Sequence, residues 1–107
     1  MKTPKRGTYI EAIGRRKTSI ARVRLFDTAK GGIVVNGKDF FLYFPTVNLQ
    51  RIVQEPLKET QFLQKFAIEV KVNGGGISSQ AGAIRHGIAR VLEKYQPDLR
   101  KPLKHLG

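Results

Sequence analysis

The sequence predicts an α+β domain, in which helices pack on a sheet. Residues 18–26 and 66–73 alternate apolar and polar side chains with the period of two that is typical of a strand with one buried face. Residues 77–95 repeat apolar side chains every three or four positions, as a helix does when one side is buried. With 107 residues, 40% of them hydrophobic, we expect a single domain over 1–107 with one modest core.

The first two strands are predicted on either side of a turn rich in cations. The first covers 9–14 and ends at a glycine, and the second covers 18–26. The tight connection in 14–17, Gly-Arg-Arg-Lys, carries three consecutive cations that an exposed turn leaves free to reach phosphate. In the second strand Arg22 and Arg24 alternate with apolar residues, so both point to the same face of the sheet.

A short strand and an aromatic cluster follow. Residues 33–35 are predicted as a strand closed by Asn36 and Gly37, whose tolerance of positive φ favours a hairpin. The four aromatic residues after the hairpin suit either a base-stacking platform or a core beneath a short helix. Core is the more frequent outcome at this density, so it is the favoured interpretation. The cluster consists of Phe40, Phe41, Tyr43 and Phe44.

A scaffold helix and a further strand are predicted next. The helix covers 46–55, begins at the N-cap Thr46 and ends at Pro56, which has no amide hydrogen to donate. The strand over 66–73 is the clearest in the chain, and it runs directly into three glycines. Downstream, Pro97 is predicted to end the long helix.

The glycine-rich stretch GGGISSQAGAIRHG covers 74–87. Three glycines in a row supply no side chains to a core, so we expect an unusual turn or a close backbone approach there. Ser78 or Ser79 is the predicted N-cap of the following helix, where Gly82 and Gly87 leave room for close packing. A strand that passes through glycines into a helix N-terminus favours phosphate, because free N–H groups and the helix dipole meet there.

An enzyme is not expected, although the glycines and serines also resemble the phosphate loop of small-molecule kinases of the galactokinase and homoserine-kinase type. The spacing matches neither the Walker sequence nor the dinucleotide fingerprint. Phosphoryl transfer needs carboxylates gathered around the phosphate site, and the eight acidic residues are scattered. His86 lies beside an arginine and His105 near the chain end, so we expect no catalytic residue, no metal site and no cofactor.

The charge favours a polyanionic partner. Twenty Lys and Arg residues oppose eight Asp and Glu, a net charge of +12, which suits nucleic acid or an anionic membrane surface. Nine cations precede residue 31 and six follow residue 80, so the two ends are expected to form one continuous basic surface. No apolar run approaches the roughly 18 residues of a membrane span, and there is no cysteine, which together predict a soluble intracellular protein.

Five segments carry a family resemblance: YIEAIGRRKTSIARVRLF, VNGK, YFP, EPL and GGGISSQAGAIRHGIAR. In order and spacing they are similar to the bacterial and organellar form of the ninth protein of the small ribosomal subunit, from Tyr9 to Gly107. The resemblance implies a two-layer domain with a four-stranded sheet that binds ribosomal RNA in the head of the subunit, beside other head proteins. It implies no catalytic activity. It also implies a place in a ribosome, either in the bacterial cytoplasm or in an organelle.

On this resemblance, the glycine loop and its serines lie against the RNA backbone while the cations clamp it. RNA helices hide their base edges in a narrow groove, so recognition by shape and phosphate geometry is expected. The alternative is a free-standing basic module that binds RNA or phosphate outside the ribosome. The predicted RNA-binding residues are Lys5, Arg6, Arg15, Arg16, Lys17, Arg22, Arg24, Gly74, Gly75, Gly76, Ser78, Ser79, Gln80, Arg85 and Arg90.

The chain differs from the family pattern in two places. Ser79 stands where the family commonly has glycine, and we expect an ordinary φ there, because serine is strained at positive φ. The family also continues past the position of Gly107 into a long basic tail that approaches transfer RNA. That contact is therefore not carried over to this chain. Residues 1–8 are predicted as a flexible basic N-terminus and 98–107 as a short C-terminal helix or turn.

Overall fold

A computed structural model describes residues 9–27, 32–61 and 66–104. Within these residues it confirms the predicted α+β class, with a sheet and four helices. The strands are β1 (Tyr9–Arg16), β2 (Ser19–Phe26), β3 (Gly32–Val35), β4 (Lys38–Asp39) and β5 (Ala67–Asn73). The helices are α1 (Phe40–Tyr43), α2 (Val47–Glu59), α3 (Ile77–Tyr95) and α4 (Arg100–Lys104), with a 3-10 turn over Pro97–Leu99.

The strands in the described residues form a five-stranded sheet in the order β1-β2-β5-β3-β4, not the four-stranded sheet that was predicted. Neighbouring strands are antiparallel, except that β3 and β5 are parallel. The additional strand is β4, whose two residues are too few to show an alternating pattern in the sequence. It pairs with β3 across Asn36 and Gly37, whose φ values of 50° and 82° confirm the predicted hairpin.

One face of the sheet is covered by α3, and α2 packs against α3. Ala21, Val23 and Leu25 of β2 are buried on this covered face, as predicted. Because side chains alternate along a strand, Arg22 and Arg24 point to the opposite side, which we call the open face.

The connection between β1 and β2 is shorter than predicted. β1 continues through Gly14 to Arg16, which pairs with Ser19, so the turn consists of Lys17 and Thr18. Lys17 adopts the left-handed conformation, with φ of 55°. The prediction that the strand stops at Gly14 was wrong because this glycine serves packing instead of a turn. A Cβ on Gly14 would overlap the carbonyl oxygen of Ala83 in α3.

Gly87 in α3 makes the matching approach from the helix side. A Cβ on Gly87 would lie 2.5 Å from Val23 Cγ2 and 3.2 Å from the Gly14 nitrogen. The helix backbone therefore rests directly against β1 and β2, and the predicted close packing at Gly87 is confirmed.

The aromatic cluster is divided between the core and the surface. Phe40 and Phe44 are buried, which confirms the core interpretation for them, whereas Phe41 is 53% exposed. A helix as short as α1 cannot turn every aromatic ring inward. Its N-cap is Asp39, whose carboxylate accepts a hydrogen bond from Phe41 N–H at 2.9 Å. Tyr43 is half-buried and its hydroxyl is hydrogen-bonded.

α2 begins as predicted but ends later. The Thr46 hydroxyl accepts from Leu49 N–H at 3.3 Å, which confirms the N-cap. Pro56 lies inside the helix, which continues to Glu59, so its predicted role as the helix end was wrong. Proline conflicts mainly with the turn that precedes it, whereas its carbonyl still accepts from Thr60 N–H at 3.2 Å and the buried ring packs in the core.

α3 confirms the predicted helix, but its first turn differs. The buried residues run from Ala81 to Leu92, whereas Ile77 is 45% exposed. The N-cap is Gly76, not a serine, and among the described side chains none caps this end. The helix ends before Pro97, as predicted. In the described part of the chain, no helix has the length and apolar character needed to cross a membrane.

Candidate nucleic-acid interface

A groove of about 690 Å³ runs along α3 on the side of the β1 edge, and we call it the basic groove. The end of β1 supplies two arginines, and successive turns of α3 supply most of the remaining polar groups. One residue of α2 and one of α4 close the far side. The lining residues are Arg15, Arg16, Ile52, Ser78, Gly82, Arg85, His86, Ala89, Arg90, Glu93 and Leu103.

The groove brings together cations from the two ends of the chain. Arg15 and Arg16 come from β1, and Arg85 and Arg90 from α3, so four predicted cations line one groove, although the side chains of Arg15 and Arg16 leave opposite faces of the strand. The Arg16 side chain crosses α3 at Gly82, where an added Cβ would lie 3.1 Å from Arg16 Cγ. The missing side chain of Gly82 therefore lets the arginine lie against the helix.

Arg85 is already paired. Its Nη1 lies 2.8 Å from Glu55 Oε1 of α2, and the two side chains are only 35% and 40% exposed. The charge that Arg85 offers a ligand is thereby reduced. We attribute to this pair mainly the positioning of α2 against α3, because a partly exposed ion pair contributes little to stability.

The free edge of β1 is hydrogen-bonded by a row of side chains on α3. His86 Nδ1 accepts from Arg15 N–H at 3.1 Å. Arg90 donates to the carbonyl oxygen of Ile13 at 3.0 Å, and Lys94 donates to that of Glu11 at 2.7 Å. We call His86, Arg90 and Lys94 the edge cap.

The edge cap was missed in the sequence, although its spacing was visible there. His86, Arg90 and Lys94 are four residues apart, which places them on one side of a helix. Nothing in the sequence indicates that β1 is the edge strand, so the partner of this row could not be inferred.

A second, smaller cavity of about 290 Å³ continues the groove toward the C-terminus. Arg90 and Glu93 line both cavities, and Lys94, Pro97 and Arg100 complete the smaller one. Lys94 and Arg100 were not among the predicted site residues. They extend the cationic side of α3 beyond the part that the glycine-rich motif indicates.

The glycine loop, Gly74 to Gly76, is shaped by its own chain. Gly74 and Gly75 have φ of 82° and 65°, and a Cβ on Gly74 would overlap the Thr18 carbonyl oxygen. A Cβ on Gly75 would overlap the Ser19 hydroxyl. Both expectations, an unusual turn and a close backbone approach, are confirmed, and the group that approaches is the β1–β2 turn.

Buried and half-buried hydroxyls join this loop to the turn. Ser19 is fully buried, and its hydroxyl donates to the Gly74 carbonyl oxygen at 2.7 Å and lies 2.8 Å from the Ser79 hydroxyl. Ser79 in turn donates to the carbonyl oxygen of Arg16 at 2.8 Å. Ser79 is helical, without positive φ, as expected. Its side chain therefore positions the cationic turn.

Gln80 extends the same network to the hairpin. Its amide nitrogen donates to the Gly74 carbonyl oxygen at 3.2 Å, and its amide oxygen accepts from the Tyr43 hydroxyl at 2.7 Å. Asn36 donates to that hydroxyl at 3.2 Å and exchanges hydrogen bonds with the backbone of Val72. The side chain of Gln80 thus braces the loop.

Two predicted site residues lie away from the groove. Arg24 hydrogen-bonds Glu11 at 3.0 Å on the open face, and Arg22 lies 3.5 Å from the same carboxylate. The Glu11 hydrogen bond, followed by the electrostatic interaction with Tyr9, raises the pKa of Arg24 above its ordinary value. Strand alternation places this pair on the open face together with Arg15, whose cross-strand partner is Ile20, so the one continuous basic surface stays a prediction.

The remaining predicted site residues occupy three places. Lys17 is exposed in the β1–β2 turn, and Ser78 lines the groove. Gly76 is exposed at the start of α3, where a Cβ would meet nothing within 4 Å. Lys5 and Arg6 lie outside the described residues.

The fold and the groove define a small basic α+β domain whose cations converge beside the N-terminal half of one long helix. The chain belongs to the ribosomal protein S9 family, since the family described as Ribosomal protein S9/S16 matches residues 14–107. It is 52% identical over 96 residues to the small ribosomal subunit protein uS9 of Maridesulfovibrio salexigens, covering 90% of this chain and 73% of the relative. It is 48% identical, with the same coverage, to the protein of that name from Lawsonia intracellularis.

This membership confirms the resemblance found in the sequence. The protein is a structural ribosomal protein and not an enzyme, so the kinase-like appearance of the glycine loop has no catalytic meaning.

Proposed function

We propose that the chain is a structural component of the small ribosomal subunit that binds ribosomal RNA in the head, beside neighbouring head proteins. Its relatives are named as proteins of that subunit. The observation that carries the proposal is the convergence of β1 and α3 cations on one groove. We expect this function in the bacterial cytoplasm or in an organellar ribosome.

The groove supports contact with the RNA backbone. Arg15, Arg16 and Arg90 line it, and exposed Lys17 projects from the adjoining turn. The N–H groups in the first turn of α3 start at exposed Gly76 and add the positive end of the helix dipole. Guanidinium groups bind phosphate in a bidentate manner, so this set suits an RNA strand.

The other predicted site residues have supporting roles in the proposal. Gly74, Gly75, Ser79 and Gln80 hold the turn and the loop in register. Arg85 acts mainly through its pair with Glu55. Arg22 and Arg24, together with Lys5 and Arg6, are proposed as secondary contacts.

The test is a competition experiment. Binding of the 107-residue chain to the head domain of small-subunit ribosomal RNA is measured against excess transfer RNA near physiological salt, where non-specific attraction is weak. We expect binding to persist. If the competitor removes it, specific recognition of ribosomal RNA by this chain is contradicted, and a general RNA- or phosphate-binding module is the better description.

A further inference from the structure

One carboxylate, that of Glu93, lies among the cations of the groove. Glu93 lines both cavities together with Arg90. Within the described part of the chain it makes no hydrogen bond or ion pair, whereas the nearby Glu55 is paired with Arg85. A surface that receives only phosphates gains nothing from such a group, because the carboxylate repels them.

The floor of the groove is also unsuited to phosphate alone. Ile52 from α2, Ala89 from α3 and Leu103 from α4 present apolar surface there. Apolar surface gains free energy by covering a heterocyclic ring, not by meeting a charged oxygen. The volume of about 690 Å³ lies within the usual range of ligand pockets and exceeds what a phosphate needs.

The order of these groups along α3 matches the parts of a nucleotide. His86, at the arginine-rich end of the groove, precedes Glu93 by seven residues, or about 10 Å along the helix axis. Ala89 lies between them, one turn before Glu93. A phosphate held by Arg16, whose side chain crosses α3 at Gly82, would therefore leave its base over the apolar floor, with the edge of the base directed to Glu93.

We propose that the basic groove holds one unpaired RNA nucleotide whose base carries an exocyclic amine. This rests on the proposed RNA-binding function and adds that a base, not only the backbone, is recognised. A carboxylate accepts from the amino group of cytosine, and adenine and guanine also carry amino groups. Uracil has no exocyclic amine, and its one donor at that edge, N3–H, lies between two carbonyl oxygens that a carboxylate repels, so uracil is disfavoured.

The test compares single-stranded oligocytidylate and oligouridylate of about six nucleotides, which are alike in charge. Fluorescence anisotropy at fixed salt gives both dissociation constants, and we expect oligocytidylate to bind about tenfold more tightly. NMR of the methyl groups of Ile52 and Leu103 should show shifts on its addition. Equal affinities, or unshifted methyl signals while oligocytidylate is bound, would overturn the inference.

The substitution Glu93→Gln separates base recognition from charge. A glutamine amide both donates and accepts, so the preference for cytosine should fall to about onefold or twofold. If Glu93 acted only through its negative charge, the substitution would instead tighten the binding of both RNAs equally. This result would refute the role of Glu93 in base recognition. Glu69→Gln on the open face is the matched control, which we expect to leave the preference intact.

The two proposals fail in different ways. If the chain binds head-domain RNA but shows no preference between the two oligomers, the base site is refuted and the proposed function stands. If no binding to head-domain RNA survives the competition, the proposed function fails and the inference fails with it.

Discussion

The effect of replacing a glycine in α3 depends on the atoms that lie against it. Gly87 has Val23 and the backbone of Gly14 beside it, whereas Gly82 meets only the flexible stem of Arg16. Both lie in the interior of α3, where alanine is intrinsically favoured over glycine by about 1 kcal/mol. The two positions therefore separate packing from helix propensity.

Gly87→Ala is expected to lower the free energy of unfolding by about 1 to 3 kcal/mol, because the added methyl group overpacks a backbone contact. Gly82→Ala on the same helix should be neutral or stabilising, since Arg16 can move aside. Urea unfolding of the two variants measures the difference. Equal effects would contradict the close contact of α3 with β1.

Ser19 is a second residue whose role is internal. Ser19→Ala removes a buried hydroxyl that contacts both the glycine loop and Ser79, so we expect a loss of about 1 to 2 kcal/mol in unfolding free energy. Ser78→Ala, in the exposed lining of the groove, is the control and should change stability very little. A calorimetric melting curve for each variant decides between them.

At the scale of elements, β1 forms one edge of the sheet. An unpaired strand edge invites pairing with another chain, and proteins commonly protect such edges. Here the edge cap occupies the backbone groups at alternate residues of β1. The helix that covers the sheet thus also closes its side.

Removal of two members of the edge cap should make the protein self-associate. The variant Arg90→Met with Lys94→Met leaves the carbonyl groups of Ile13 and Glu11 without these donors, so strand pairing between copies becomes favourable. Sedimentation velocity at several protein concentrations reports the association. Arg51→Met with Lys101→Met removes the same charge from exposed positions and should remain monomeric. Similar association of both variants would assign the effect to lost charge.

For the whole molecule, the proposed function predicts that RNA affinity depends on salt. Substitutions on different surfaces measure how much each surface contributes to this dependence. Arg15→Ala with Arg16→Ala should weaken RNA binding and reduce the slope of log K against log salt by about 1 to 2, since each neutralised phosphate contributes roughly 0.7 to 0.9. The melting temperature should fall by no more than a few degrees. A large loss of stability would show that these arginines are structural.

Arg22→Ala with Arg24→Ala is the comparison on the open face. Glu11 already neutralises part of that pair, so the slope should change less than for the groove pair. An equal or larger change in the slope would indicate that the main RNA contact lies on the open face and not in the groove.

The sequence predicted what depends on periodicity. β2, β5 and α3 each carry an unbroken pattern, and their buried faces are those that were expected, except at Ile77 in the first turn of α3. Local signals also succeeded where a single turn decides the outcome, as at Thr46 and the Asn36–Gly37 hairpin. These elements are specified by neighbours in the chain.

What the sequence did not predict depends on distant contacts. Gly14 is typical of a turn in the sequence, but its role is decided by the contact with α3. Pro56 is typical of a helix end, but its role is decided by the burial of its ring in the core. The groove combines β1, α2, α3 and α4, so Ile52 and Leu103 could not be assigned to it, nor Lys94 to the smaller cavity that continues it. Arg85 was placed on the correct helix, but its partner Glu55 was not predicted.

The edge cap has an entropic consequence for association with RNA. A long cationic side chain gives up as much as about 2 kcal/mol of rotamer freedom when it is immobilised. Arg90 and Lys94 are each tethered to β1 by one hydrogen bond, so part of this loss has already occurred during folding. Their remaining donors are thus preorganised, and a ligand that reaches them meets groups that are already oriented.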